Sequence, residues 1–271
     1  MNSSRRARRV GWKTAAGLAA AAFVIAVGAV HFVREANLRA RLMRADPDTI
    51  AGITELRDFA VAIGQPAYDR HCAVCHGARM QGDRNRGAPN LADSDWLYGE
   101  GRAAQIENII LHGIRSGDPK GWNQADMPAF AEPVPYKRTR IAPLEPKEIS
   151  DVVEFLLLKA GKPGDAAAAA RGSDIFNARG QCFDCHAADA KGDAAIGAPN
   201  LIDDIWLIGD GSREDIFGVV AHGSSGFCPA WAGQLDAATV RSLAVLVYLA
   251  SHSESSRAAS PAAGNPTAPG G

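Results

Sequence analysis

The residues best suited to chemistry lie in two short segments, Cys72-Ala-Val-Cys75-His76 and Cys182-Phe-Asp-Cys185-His186. Two thiols at this spacing reach the two vinyl groups on one edge of a porphyrin, and the adjacent histidine then lies beneath the iron. Zinc would want four ligands from compact pairs, and dithiol redox chemistry a βαβ setting. Neither explains a histidine after both pairs. The chain is expected to carry two covalently bound haem c groups, attached through Cys72, Cys75, Cys182 and Cys185, with His76 and His186 as axial ligands.

A sixth iron ligand is sought downstream of each motif. Met127, followed by proline, is the candidate in the first half; a thioether is soft and favours reduced iron, which raises the potential. Met80 and Met43 are weaker choices. No methionine follows Met127, and Cys228 occupies the corresponding place in the second half. A thiolate there would stabilise ferric iron and pull the potential down. The competing readings are a spectator thiol beside an open iron, or ligation by His222 or His252. Pro89 and Pro199 stand in Gly-Ala-Pro-Asn-Leu loops expected to face the histidines. A backbone carbonyl in each is the natural acceptor for the second ring nitrogen of a ligating imidazole; a plain turn is the alternative. Trp96 and Trp206 are expected to pack near the haems.

These residues sit in a repeat. The two motifs are 110 residues apart, and that offset persists through Gly87–Leu91 and Gly197–Leu201, Trp96-Leu97 and Trp206-Leu207, and His112-Gly113 and His222-Gly223. It then falls to 101, where Met127-Pro-Ala-Phe130 matches Cys228-Pro-Ala-Trp231, so the first copy holds nine extra residues around Ser116–Ala125. A tandem duplication of roughly 100 residues follows. Each copy reads as helical. Leu56, Phe59, Ala60, Ile63 and Tyr68 recur at helical spacing before the first motif, and apolar closing helices are expected near Lys147–Lys159 and Ala237–Ser251. Pro133, Pro135, Pro143 and Pro146 predict a loop before the first of these.

Thr14 to Val33 is a 20-residue stretch without a charged side chain, preceded by Arg5, Arg6, Arg8, Arg9 and Lys13. At about 1.5 Å per residue it spans one bilayer core, with the basic side cytoplasmic. An uncleaved anchor is expected; a cleaved signal peptide is the competing reading. Residues 1–44 hold nine of the 29 basic and one of the 30 acidic side chains, leaving 45–271 with 20 and 29, a net of −9. An acidic exported part argues against nucleic acid and suits a basic protein partner. The expected plan is all-α: a basic cytoplasmic segment 1–13, a transmembrane anchor 14–33, a linker or juxtamembrane helix 34–54, a first domain 55–160, a linker 161–170, a second domain 171–252 and a disordered tail 253–271.

Cys72–Gly77, Gly87–Leu91, Asp95–Gly99, Ile110–Ile114 and Met127–Phe130, with Asp204–Gly209 and Pro229–Trp231 in the second copy, together resemble the dihaem subunit III of cbb3-type cytochrome c oxidases over about 55–252. The resemblance implies two tandem class I cytochrome c domains tethered to a bilayer; with the basic flank of the anchor, the expected place is the inner membrane of a bacterium, with the haem domains in the periplasm. It implies electrons taken from a soluble cytochrome c and handed toward a terminal oxidase, with no substrate chemistry in the subunit itself. It also implies His76 and Met127 as one ligand pair and His186 as the proximal ligand of the other haem. The family has methionine where this chain has Cys228, which opens a second destination in another respiratory or photosynthetic membrane complex. A contrasting expectation is a dihaem enzyme resembling thiosulfate dehydrogenases, in which a His/Cys haem acts on a small sulfur compound. That would want a basic distal pocket, whereas Ser224, Ser225, Gly226 and Phe227 beside Cys228 supply no cation.

Overall fold

The computed structural model describes residues 3–136 and 139–253, with side chains from residue 15 onward except those of 136–140. The expected tail beyond Ser253, and the side chains of the basic segment 1–13, lie outside the described residues. The chain begins with one long helix, α1 (Ser3–Arg44). Its segment Ala15–Arg44 is long and apolar enough to cross a membrane, and the apolar side chains from Leu18 to Val33 are exposed. A short helix α2 (Pro47–Ile50) follows, started by the Asp46 carboxylate, which accepts the Asp48 N–H.

Each motif is then built from one approach helix, one turn of helix bearing the histidine, and one crossing helix. In the first copy these are α3 (Thr54–His71), α4 (Ala73–His76) and α5 (Ala103–His112). In the second they are α7 (Ala166–Asp174), α8 (Phe183–His186) and α9 (Arg213–His222). The closing helices are α6 (Pro146–Lys159) and α10 (Ala237–Ser251), where the apolar periodicity predicts them. The proline-rich stretch before α6 is more than a loop: it folds as a two-stranded hairpin, β1 (Val134–Tyr136) antiparallel to β2 (Thr139–Ile141).

The approach helices differ. Tyr68 stands four residues before Cys72, but Phe176 stands six before Cys182. The two additional residues are absorbed by a π-helical turn, Ile175–Arg179, and by Gln181 in the left-handed region at φ +54°.

The two closing helices each pack on the other copy. Helix α10 of the second copy packs on α3 and α5 of the first, while α6 of the first packs on α7 and α9 of the second. Glycines permit both close crossings. Gly64 of α3 lies against the backbone of Ser242 in α10, and Gly172 of α7 against the backbone of Asp151 in α6. The core follows the same exchange. Val152, Val153, Leu156 and Leu157 of α6 pack with Phe176, Ile216 and Val220, and Leu243 and Leu246 of α10 pack with Tyr68 and Met80. The segment 34–54 is no free linker, because Leu38, Leu42 and Ile50 are buried against Leu56, Ala60 and Val245.

Candidate haem sites

In each copy the motif helix turns the histidine toward its own Gly-Ala-Pro-Asn-Leu loop. His76 Nδ1 lies 3.0 Å from the Pro89 carbonyl oxygen and His186 Nδ1 lies 3.1 Å from that of Pro199. A carbonyl only accepts, so Nδ1 carries the proton in both rings and Nε2 keeps a free lone pair, the state a metal-binding imidazole needs. Burial lowers both histidine pKa values, opposed by these hydrogen bonds, so the neutral form is favoured. The loops are held identically. The His76 and His186 carbonyls each accept a glycine N–H, from Gly82 and Gly192, both at 2.9 Å, and Leu91 and Leu201 donate to the Met80 and Ala190 carbonyls. Tyr68 Oη donates to the Gly77 carbonyl at 2.7 Å, fixing the turn after His76.

Cys72 and Cys182 are partly buried at the starts of the motif turns, Cys75 is exposed, and none of the five cysteines forms a disulfide. Burial, helped by neighbouring thiols, pushes the Cys72 thiol up to about 11; burial likewise takes Cys182 up to about 12. Both are therefore neutral thiols available for thioether formation.

Met127, expected as the partner of His76, is brought by the fold to the other motif. Met127 lines a cavity of about 430 Å³ together with Cys182, Cys185, His186 and Pro199, which is the second motif's site. Cys228 lies on the other side of the exchange. Its partly buried thiol is raised to about 11, foremost by desolvation and then by Cys75, and it in turn raises Cys72, so it sits at the first motif. Backbone pairing explains the placement. Ile114 and Ser224 are equivalent positions in the repeat, as are Met127 and Cys228. Ile114 pairs with Cys228, N–H to O at 2.9 and 3.0 Å, and Ser224 pairs with Met127 at 2.9 and 3.0 Å. Each turn thus holds the distal segment of the other copy. Trp231 completes the first site by packing its ring 5.0 Å from that of His71, and Phe130 completes the second by donating its N–H to the Val220 carbonyl. The other sixth-ligand candidates lie elsewhere: His222 is exposed at the end of α9, His252 stacks on Tyr248 at 4.1 Å, Met80 is buried against Tyr68, and Met43 belongs to α1.

Three features were not visible in the motifs. Arg115, at φ +50°, reaches the Gly226 carbonyl two residues from Cys228, donates to the Ala125 carbonyl at 2.6 Å and pairs with Asp126 at 3.2 Å. A cation does approach the Cys228 segment, bonded to two carbonyls and paired with a carboxylate. Pro89 and Pro199 line one small cavity of about 110 Å³, so the two histidine-orienting loops face each other. Asp93 and Asp95 line it too; burial, opposed by the hydrogen bond from the Asp95 N–H, raises Asp93 to about 6, and burial and then Asp203 raise Asp95. Contacts across this region, Gly99 N–H to the Ala194 carbonyl at 3.0 Å and Tyr98 over Gly197, join the copies.

The second site fits a haem in three ways. The cavity has the volume of a cofactor pocket, its donors are two thiols, an oriented imidazole and a thioether, and Trp206 Nε1 is buried in its wall without a hydrogen-bond partner among the described residues. A buried N–H left unpaired is what a polar edge of a bound group would satisfy.

Two Cys-x-x-Cys-His turns, each with a carbonyl-oriented histidine in a helical frame, define a c-type cytochrome of two cytochrome c domains. Residues 61–158 match the family model for cytochrome c, and residues 167–247 match that for subunit III of cbb3-type cytochrome c oxidase. Cbb3-type cytochrome c oxidase subunit FixP of Azorhizobium caulinodans is 39% identical over 77% of this chain and 66% of its own length. Subunit CcoP of Cereibacter sphaeroides is 36% identical over 79% and 69%, and that of Rhodobacter capsulatus 38% over 74% and 63%. The chain spans about two thirds of the length of these relatives. It belongs to the family of cbb3-type cytochrome c oxidase subunits to which FixP and CcoP belong.

Proposed function

We propose that the protein is a membrane-anchored, two-haem electron relay, facing the periplasm, that takes electrons from a soluble cytochrome c and passes them toward a membrane oxidase complex. The observation that carries this reading is the repeated site of two thiols and an imidazole whose Nδ1 is committed to a proline carbonyl. Haem iron, when bound there, supplies a one-electron couple. In this reading Cys72, Cys75, Cys182 and Cys185 form the thioether links, and His76 and His186 present Nε2 as axial donors. The distal donors are exchanged: Cys228 serves the haem of the first motif and Met127 that of the second. A soft thioether raises one potential and a thiolate lowers the other, so the two sites are unequal by construction. Pro89 and Pro199 hold the imidazole tautomers, and their sharing of one small cavity supports a close approach of the proximal sides of the two sites. Against the thiosulfate-type enzyme stands the charge at the Cys228 segment, where Arg115 is bonded to two carbonyls and already paired with Asp126.

Mass spectrometry of the denatured protein tests the cofactor content, with a gain of two haem masses expected. Stopped-flow mixing of the oxidised protein with a reduced soluble cytochrome c tests the role. Rapid reduction of both haems is the expected result; a gain of one haem or none, or no electron entry at low ionic strength, would overturn the reading.

A further inference from the structure

The membrane helix runs directly into the first haem site. Ala15–Arg44 is 30 residues long, about 45 Å of helix against a hydrocarbon core of about 30 Å, so its last three turns project from the bilayer. The C-terminal carbonyls of such a helix have no partners of their own. Here Arg241, 197 residues beyond Arg44 and on α10, supplies them: Nη1 donates to the carbonyls of Leu42 at 3.2 Å, Met43 at 3.0 Å and Ala45 at 3.0 Å. Its Nε faces both carboxylate oxygens of Glu107 on α5, at 3.1 and 3.2 Å. Both side chains are nearly buried, at 13% and 12% exposure, so the guanidinium is solvated mainly by these protein partners. The next residue, Ser242, is the one against which Gly64 of α3 packs.

A second set of contacts acts at the same place. Leu42 and Ile50 are fully buried, and the Asp48 carboxylate accepts the Ala104 N–H at 2.9 Å, stopping the first turn of α5 from fraying. Arg39 pairs with Asp236 at 3.5 Å, and Arg41 with Glu55. A flexible tether would bury no leucine and cap no helix.

We infer that Arg241 is a positioning residue that locks the end of the membrane helix to α5 and α10, holding the first haem site at a fixed orientation to the bilayer. The protein then works as a fixed relay, to which donors must come, and not as a carrier swinging on a tether. The inference rests on the haem and anchor readings above, and the test separates them. Full-length, haem-loaded protein is placed in oriented bilayers, and the paramagnetic resonance of its oxidised low-spin haems is recorded against the angle between field and membrane normal. Sharp angular dependence is expected for the natural protein. Arg241→Leu should broaden the orientational spread at least twofold, with haem content and optical spectrum unchanged. If Arg241→Leu does not accumulate with haem, Arg241→Lys, which cannot reach three carbonyls and Glu107 together, is read the same way. Haem signals without angular dependence in the natural protein would overturn the lock, and an unchanged spread in the variant would overturn the role of Arg241. Absence of haem, or of the protein from the bilayer, would instead strike the underlying function.

Discussion

Replacing Gly64 by alanine puts a Cβ 2.7 Å from the Ser242 carbonyl oxygen, 3.0 Å from its carbon and 3.3 Å from Leu246 Cβ. Ordinary contact with such atoms begins near 3.4 Å, so α3 and α10 must part by roughly 0.7 Å. The obstacle is backbone and cannot rotate away. Overpacking of this kind costs about 1–3 kcal/mol, offset by about 1 kcal/mol of improved helix propensity, leaving a net loss of up to about 2 kcal/mol. Gly172→Ala overlaps the Asp151 carbonyl more deeply and should lose about 1 kcal/mol more, within the same overpacking range. Gly218→Ala on α9 is the control: nothing lies within 4 Å of its Cβ, and it should gain up to about 1 kcal/mol. For a chain of this size each kcal/mol moves the melting temperature by about 2–4 °C. Thermal unfolding of the haem-loaded protein should therefore rank the variants Gly218→Ala above natural above Gly64→Ala above Gly172→Ala. The ranking depends on the exchanged pairing of α3 with α10 and α6 with α7. If Gly64→Ala and Gly172→Ala melted with Gly218→Ala, that pairing would be refuted.

Three other outcomes are expected. Ser242 Oγ is buried without a hydrogen-bond partner among the described residues. Because an unsatisfied buried hydroxyl is penalised by about 1–3 kcal/mol, Ser242→Ala should raise the midpoint of chemical unfolding. Asp93, raised to about 6, holds its proton in the folded state where the unfolded chain has lost it, so it weakens stability as pH rises from about 4 to about 6. Asp93→Asn should remove that decline, a change read from urea midpoints at pH 4 and pH 7. Asp151 has the opposite sign: hydrogen bonds from Arg171 foremost, and from Lys147, hold its carboxyl below the usual range, so its contribution is present above the unfolded carboxylate pKa and fades as pH falls through the depressed value. Asp151→Asn should flatten that acid limb of the stability profile.

Much of the site was legible in the residues themselves. The Cys-x-x-Cys-His turns, the carbonyl acceptors at Pro89 and Pro199 and the closing helices at 146–159 and 237–251 all follow from local rules of spacing, hydrogen-bond capacity and apolar period. The exchange of distal segments was not, and the reason is the repeat. Ile114 and Ser224 are equivalent, as are Met127 and Cys228, so pairing across copies satisfies the same backbone groups and buries the same residue classes as pairing within a copy. Periodicity carries no information about which copy supplies a partner. Arg241 was hidden for a related cause: a lone arginine on an apolar helix reads as solvated until its partners, 134 to 199 residues away, are brought to it.

The exchanged ligands are tested most directly in a variant that keeps one haem. With Cys182 and Cys185 both replaced by serine, only the haem on Cys72 and Cys75 remains, and its oxidised low-spin resonance reports the sixth ligand. A thiolate signature is predicted, unchanged by Met127→Ala and lost on Cys228→Ala. A thioether signature that disappears with Met127→Ala would contradict the account.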